Sequence, residues 1–577
     1  MNTYFKTLFK ETKKNLSKLT FYLILCWIIL HTTKMFLFAI QLDVVKLFVL
    51  QQSIYRILID FFVSVILLFI IFRSRALAIT YSLLEATYIF LYLLYFSYFH
   101  QYLTFSSIVS LGEGVKAVST LKVVFSVKFI VISILDLPLL LWLTSKNRLN
   151  DVKTFLNSLT GKSFLVTVLI LLVLNEVLNF AGKKSIYHIV RDKDILIIMG
   201  RSEFIIRRYG TFLYGILSLD SFFNEKKVIN YFDYGPELKF YERNKKYNVV
   251  IIQVESLDSS IIFTDYKGKA ITPFLRSLIN KSWFYPFVVS YHFAGATSDA
   301  EFAIINSVVP LTTYPSMKLA NYYYPNSLPK KFLINGYKVF AFHNNDGFYF
   351  NRDKAFHLMG FEEYYDRVKM NLPHRGWGAS DEDVFNFVKQ KIKEEKKPFL
   401  YYVITMSSHG PFDLVDQYYT NESFSDINMK NVKKYFNSIS YVDTQLSNFV
   451  SFLVDNFNNT HIFIFGDHSS GVKGDIYNPS VSVVEGKRVE IVPLFFIPAK
   501  SSQIKPKGYC GDVISFLDVA PSIIDVAGIS ATIKSYGISI LSLKNEKRKI
   551  PWPDKFLDSD EVIRNLKFKV IMPVEKK

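Results

Sequence analysis

Hydrophobic and polar positions are arranged in two different styles along the chain. Up to residue 181 the apolar positions gather into nearly uncharged runs at 19–41, 57–72, 77–97, 123–144 and 163–181. Each run is close to the roughly 20 residues that a helix needs to cross a bilayer. Core helices or a cleaved signal peptide do not account for five such runs within 181 residues, the first of them behind an 18-residue basic segment. From residue 247 the pattern changes to short apolar runs at 248–254, 338–342, 399–406, 461–465 and 489–497, separated by helical stretches. Continuous runs of Val, Ile and Phe predict strands covered on both faces in an α/β layout, with ligands at their carboxyl ends. The intervening segment is mixed, with Arg201, Arg207 and Arg208 followed by an apolar run at 212–217. That suits either a helix lying on the membrane surface or a packed linker. The expected organisation is an α-helical membrane domain of five transmembrane helices over 1–181, a basic and aromatic linker over 182–245, and an α/β domain over 246–577.

Charge orients the first domain, because Lys and Arg are retained in the cytoplasm. Residues 1–18 hold five Lys, the loop at 73–76 holds Arg73 and Arg75, and the loop at 145–162 holds Lys146, Arg148, Lys153 and Lys162, eleven in all. The alternate loops hold only Lys46, Arg56, Lys116 and Lys122. The N-terminus is therefore expected in the cytoplasm, and an odd number of spans puts everything after residue 181 outside it. Asp60, Glu85, Asp136 and Glu176 fall within or near the spans, where an ionised carboxylate costs several kcal/mol. They either line a cavity or pair with residues such as Lys128.

Composition narrows this picture further. Half of the 577 residues are hydrophobic, which excludes a disordered chain, and the 54 Phe and 36 Tyr suit contact with lipid or sugar. The formal charge of +18 suits an anionic partner, nucleic acid or phospholipid headgroups. With only Cys26 and Cys510 there is neither a disulfide framework nor a Cys-based zinc cluster.

The polar residues fall at the predicted strand ends. One apolar run ends in Glu255-Ser256, the next in His343-Asn344-Asn345-Asp346, the third in Ser407-Ser408-His409-Gly410 and the fourth in Gly466-Asp467-His468. Four ends in sequence supplying carboxylates and imidazoles form the ligand set of a divalent cation. A nucleophile candidate lies in Gly295-Ala296-Thr297-Ser298-Asp299-Ala300-Glu301-Phe302. Ser298 with Glu301 reads as a capping box, so a helix is expected to begin here with its positive end at Thr297, where phosphate binds. A Thr hydroxyl is a poor nucleophile until a metal lowers its pKa.

Glu255, Thr297 in Ala-Thr-Ser-Asp-Ala-Glu-Phe, Asn351-Arg352-Asp353, Ser408-His409-Gly410-Pro411-Phe412 and Gly466-Asp467-His468 occur in an order that resembles the lipoteichoic acid synthase family. Those enzymes belong to the alkaline phosphatase and sulfatase superfamily. Thr272-Pro273-Phe274-Leu275, Gly376-Trp377-Gly378, Ser380-Asp381-Glu382-Asp383 and Leu517-Asp518-Val519-Ala520-Pro521-Ser522 also look like the family. The resemblance covers nearly the whole chain, since the family carries five N-terminal transmembrane helices, a linker and an extracellular catalytic domain. It implies that Glu255, Thr297, Asp467 and His468 hold one divalent metal, Mn²⁺ or Mg²⁺ with Zn²⁺ the alternative, and that Thr297 is also the nucleophile. It further implies that Arg352, His343 and His409 bind the phosphate and glycerol moieties, with His343 or His409 moving protons. Phe350 stands where the family usually has Trp, two residues before Arg352, and leaves a stacking platform there.

The implied reaction transfers glycerol phosphate from phosphatidylglycerol to an acceptor hydroxyl on a glycerol phosphate polymer or a glycan. It runs through a phosphothreonine and releases diacylglycerol. The expected partners are therefore membrane lipids and that acceptor, with no nucleic acid. A sulfatase needs a Cys/Ser-x-Pro-x-Arg context for its formylglycine, and none surrounds Thr297. Phosphoethanolamine transferases share a Thr nucleophile and a similar membrane plan, but they usually carry several extracytoplasmic disulfides, and this domain has the single Cys510. They form the alternative reading. A transporter or sensor whose outer domain only binds ligand would lack a metal ligand or the nucleophile.

Overall fold

A computed structural model describes residues 2–45, 50–99, 102–103, 125–182, 184–191, 193, 202–223, 229, 232–312, 314–319, 322–375, 378–543 and 547–566. The chain divides into two compact units, Met1–Asn224 and Glu225–Lys577, so the boundary falls inside the stretch expected to be a linker.

The first unit is helical. Its long elements are α1 (Asn2–Gln41), α2 (Leu50–Ile71) and α3 (Arg75–Phe99), followed by α4 (Val127–Ser133), α5 (Leu137–Leu143), α6 (Lys146–Asn157) and α7 (Leu159–Ala181). Four of these, α1, α2, α3 and α7, are long and apolar enough to cross a membrane. The fourth expected span, 123–144, is not one helix over the residues described. Turns at 134–136 separate α4 from α5, and a larger bend follows Leu143, where the axis of 127–143 lies at 92° to that of 148–157, so five spans are reached only by counting this bent pair as one. The break between α4 and α5 follows from Asp136, which sits at the amino end of α5 with Pro138 in the first turn, and Pro there removes a backbone donor. Along α7 the outward Val166, Ile170, Val173, Val177 and Leu178 are exposed, an apolar face that suits lipid and not water.

The segment left open between interfacial helix and packed linker is a helix, α8 (Ser202–Phe223), kinked at Gly210, where φ is 87°. Its two faces differ. Ile205, Ile206 and Tyr214 are buried, while Phe212 and Ile216 are exposed. Arg56 of α2 donates to the Ile206 carbonyl at 2.7 Å, Arg208 lies 4.4 Å from the Tyr55 ring centroid, and Tyr209 donates to Glu176 at 2.7 Å. Arg201, Lys46, Lys116 and Lys122 lie outside the described residues.

The second unit is built on one mixed sheet. Its main strands are β1 (Asn248–Val254), β2 (Trp283–Val289), β3 (Lys338–His343), β4 (Glu363–Tyr365), β5 (Phe399–Ile404), β6 (Thr460–Gly466) and β7 (Lys487–Ile497). They lie in the order β2, β7, β6, β1, β5, β3, β4. From β6 to β4 all pairings are parallel, whereas β7 runs antiparallel to both β6 and β2. Helices such as Asp381–Glu394 and Lys430–Asn456 cover it, and every residue of β5 and β6 is buried. Sequence pattern misses β2 because Pro286 interrupts Trp-Phe-Tyr-Pro-Phe-Val-Val, and proline removes a ladder hydrogen bond. The sheet absorbs it with a register shift between Val492 and Leu494 of β7, the stretch facing Tyr285 to Val288.

Candidate active site

Parallel register brings the polar residues together. Gln253 of β1 lies opposite Ile404 of β5 and Phe465 of β6, and His343 of β3 also faces Ile404. The next residues of each strand therefore emerge along one edge of the sheet: Glu255 after β1, Asp467 after β6, Ser407 to His409 after β5, and His343 at the end of β3. Two local features tighten the edge. Ser256 adopts φ 55°, which turns the chain sharply after Glu255. A Cβ on Gly466 would collide with the Leu257 carbonyl, so only glycine lets the Asp467 turn pack against the β1 turn.

Thr297 reaches this edge from α9 (Thr297–Asn306), whose first residue it is. Thr297 Oγ lies 3.4 Å from Glu255 Oε2 and 3.4 Å from His468 Nε2. His468 Nε2 lies 3.2 Å from Glu255 Oε1 and 3.6 Å from Asp467 Oδ2. The capping box does not form. Ala296 precedes the helix with φ 47° and no side-chain cap, and Ser298 donates back to the Gly295 carbonyl. Asp299 instead accepts from the N–H groups of Phe293 and Gly295. Glu301 leaves the helix end entirely and binds Arg352.

Glu255, Asp467 and His468 each offer one ligand atom within 4.8 Å of the others. Asp467 is fully buried, its Oδ1 accepts from the N–H groups of Ser256 (2.8 Å) and His468 (2.7 Å), and its Oδ2 has no hydrogen-bond partner among the described residues. A bare buried carboxylate oxygen costs about 1–3 kcal/mol or more unless something occupies it. Two carboxylates, an imidazole and a hydroxyl form a donor set that fits a divalent cation. Electrostatics agree. Burial alone would raise the Glu255 carboxyl, but the His468 ring, then His409, outweigh it and hold Glu255 below the usual carboxylate range. Asp467 goes the other way, pushed well up by burial and by the Glu255 charge. Two carboxylates this close do not both ionise unaided, and a bound cation would let them.

Around this trio stand the other expected site residues. Burial, and after it the Arg352 charge, holds His343 well below the usual histidine value, and its Nδ1 is buried without a partner among the described residues. Burial likewise lowers His409, against the Glu255 charge, and its Nδ1 faces the Gly410 carbonyl at 2.6 Å. Arg352 is buried and directs Nε and Nη2 at Glu301, at 2.9 and 2.5 Å, a bidentate pair on neither Asp346 nor Asp353. Asp346 pairs with Arg367. Phe350 adopts φ 54°, strained for an aromatic residue, and its ring centroid lies 5.2 Å from the Arg352 guanidinium and 5.7 Å from the Lys318 ammonium. Gly376 and Trp377 lie outside the described residues. Ser380 caps the helix Asp381–Glu394, and Asp381 accepts from Asn344, Met406 and Ser407, which joins the loops after β3 and β5.

Sequence reading gave Glu301 a capping role and missed its pairing with Arg352, and it missed the pair His292 and Glu490. His292 stacks on His468 with ring centroids 4.3 Å apart and planes at 11°, and Glu490 lies 3.3 Å from its Nδ1. The available signal for His292 was its place three residues past the end of β2, a strand the pattern did not reveal.

Residues 247–529 match the sulfatase family. Lipoteichoic acid synthase 2 of Bacillus subtilis is 29% identical over 338 residues, 55% of this chain and 50% of that protein. Lipoteichoic acid synthase of Staphylococcus aureus is 26% identical over 516 residues, 82% of this chain and 75% of that protein. The chain thus matches half the length of one relative and three quarters of the other. Among solved structures, the integral membrane lipooligosaccharide phosphoethanolamine transferase A of Neisseria meningitidis shares the fold, with a TM-score of 0.51 at 14% identity over 91% of this chain and 96% of that one.

Proposed function

The chain belongs to the lipoteichoic acid synthase family of sulfatase-type membrane proteins, and from that premise we propose that it moves glycerol phosphate from phosphatidylglycerol to an acceptor hydroxyl on a glycerol phosphate polymer or a glycan. The observation that carries this reading is Thr297 Oγ at the first turn of α9, 3.4 Å from both Glu255 and His468. Glu255, Asp467 and His468, with Thr297, would hold Mn²⁺, Mg²⁺ or Zn²⁺, which when bound neutralises the phosphoryl oxygens and acidifies the Thr297 hydroxyl. Thr297 gives up its proton and attacks phosphorus in line. The bond from phosphorus to the diacylglycerol oxygen breaks, and that oxygen takes up one proton in exchange. The acceptor hydroxyl then attacks the phosphothreonine. Its proton passes to His409 or His343, both neutral at pH 7, and on to Thr297 as the Thr297–phosphorus bond breaks. Arg352, its fork fixed by Glu301, adds positive charge beside the phosphate, and the unpartnered His343 Nδ1 and the Phe350 ring receive the glycerol.

This chemistry belongs on the outer side of the membrane. A cysteine introduced near Lys487 should label with an impermeant thiol reagent in intact cells, whereas one near Lys153 should not. The reverse pattern overturns that orientation. The headgroup is tested by incubating purified full-length protein with phosphatidylglycerol and phosphatidylethanolamine separately and weighing the trapped Thr297 adduct. A glycerol phosphate adduct supports the proposal, and an adduct formed only from phosphatidylethanolamine replaces it with phosphoethanolamine transfer.

A further inference from the structure

The His468 ring is backed by three further residues, Ser469, Glu490 and His292. Its Nε2 faces Glu255 and Thr297, and its Nδ1 lies 2.9 Å from the Ser469 carbonyl oxygen. A carbonyl only accepts, so Nδ1 carries a hydrogen and Nε2 is the nitrogen left for a cation. The Ser469 peptide is held in turn. Its N–H donates to Glu490 Oε2 of β7 at 2.9 Å, and Arg488 Nη2 donates to its hydroxyl at 3.3 Å. Arg488 Nη2 also donates to the other Glu490 oxygen, Oε1, at 3.2 Å. The Glu490 backbone carbonyl accepts from the Ser290 N–H at 3.0 Å, and the Ser290 hydroxyl donates to the Asp467 carbonyl. The turn that carries both Asp467 and His468 is thereby tied to β7 and to the end of β2.

His292 completes the arrangement. Its ring covers one face of His468, with centroids 4.3 Å apart and planes at 11°, and its Nδ1 lies 3.3 Å from the same Glu490 Oε2. The Ser469 carbonyl thus fixes His468 within its plane, and the His292 ring blocks rotation out of it. His292, His468 and Glu490 also offer ligand atoms within 4.8 Å of one another, so a second cation is the competing reading. The contacts argue against it. Both Glu490 oxygens already accept N–H groups, and both His468 nitrogens are engaged, whereas the bare oxygen of this region is Asp467 Oδ2.

We propose that Glu490 and His292 are positioning residues for the metal ligand His468: Glu490 fixes the Ser469 carbonyl that makes the ring present Nε2, and His292 holds the ring plane. This rests on the reading that Glu255, Asp467, His468 and Thr297 hold a divalent cation, and it is independent of which headgroup is transferred. Loss of a group that orients a metal-ligating histidine weakens metal binding by about 10–100-fold. In Glu490→Gln one oxygen becomes an amide NH2, so either the Ser469 N–H or the Arg488 guanidinium meets a donor. Glu490→Asp keeps the charge, but its shorter side chain no longer reaches Ser469.

The test is a Mn²⁺ titration of the full-length protein in detergent after chelation, with free Mn²⁺ read from its paramagnetic resonance signal and no lipid substrate present. Wild type should bind one ion, and both Glu490 variants should bind it about 10–100-fold more weakly. Wild-type affinity in Glu490→Asp would mean that charge alone acts, which overturns the proposal. His292→Ala should also weaken binding, and His292→Phe, which restores a ring face without a nitrogen, should recover it. Equal loss in both, or two ions bound by wild type, would make His292 a ligand and overturn the proposal. Because the His292 side chain is one quarter exposed, this pair decides the question even where the Glu490 variants do not fold. Wild-type protein that binds no Mn²⁺ overturns the metal reading itself, whereas wild-type binding with unchanged variants overturns this proposal alone.

Discussion

The two units contain the same three residue types in the same proximity: His31, Glu85 and Asp136 in one, and His468, Glu255 and Asp467 in the other, each trio with ligand atoms within 4.8 Å of one another. One further residue separates their chemistry. In the membrane unit the Lys34 ammonium sits between the two carboxylates, so the place a metal ion would take is filled by a covalently attached cation. In the catalytic unit no Lys or Arg pairs with Glu255 or Asp467 among the described residues, and Asp467 Oδ2 is left bare. A buried acidic cluster is thus closed or receptive according to whether the chain provides its own cation. Arg352 marks a middle case. Its charge lies close enough to lower His343, but its fork is spent on Glu301.

Substitutions at the receptive site should have the largest effects. Thr297→Ala should abolish turnover by removing the hydroxyl proposed as the nucleophile, with the melting temperature unchanged because no core volume is lost. Diacylglycerol release at the wild-type rate by this variant would remove Thr297 from the chemistry. Asp467→Ala and Glu255→Ala should each lose activity and bound metal together, since a divalent ion needs several ligands before its affinity exceeds its hydration. Elemental analysis finding full metal in Asp467→Ala would sink that ligand assignment.

At the closed site the readout is stability. Lys34→Met leaves Glu85 and Asp136 facing each other and should cost about 3–5 kcal/mol, seen as a lower unfolding temperature of the membrane unit. An unchanged temperature would mean that Lys34 is not what closes that cluster. For the middle case, Arg352→Lys keeps the charge but loses the fork. It should slow the reaction about 10-fold and also lower the melting temperature, because one charge-assisted bond of about 1.5–3 kcal/mol to buried Glu301 is lost. A slow variant of wild-type stability would show that the Glu301 pair does not support the fold.

The smallest effect expected is on pH dependence. Burial holds His343 and His409 below the ordinary histidine value, about 6.5, so both remain neutral bases as pH falls through that value. The acid limb of kcat should therefore lie below pH ~6.5. A limb centred at or above it would mean that the base is an ordinary, solvated imidazole.

The strands ending at Glu255, His343 and Asp467 were legible because each is a continuous apolar run stopped by a polar residue, a property of neighbours in the chain, and parallel register then brings those ends to one edge without further instruction. Thr297 was legible for the same local reason, at a Gly-Ala turn opening a helix. Strand β2 was not, since Pro286 argues locally against a strand and only its fit to a register shift in β7 permits it. The break in the fourth span and the packing of α8 depend on which helices lie beside them. Most of all, the pairings Lys34 with Asp136 and Arg352 with Glu301 join residues 102 and 51 positions apart. Local pattern can say that a carboxylate is buried. Only the tertiary structure decides whether a cation from elsewhere in the chain meets it or its charge is left for a ligand, because the cost of burying charge is set by what packs against it.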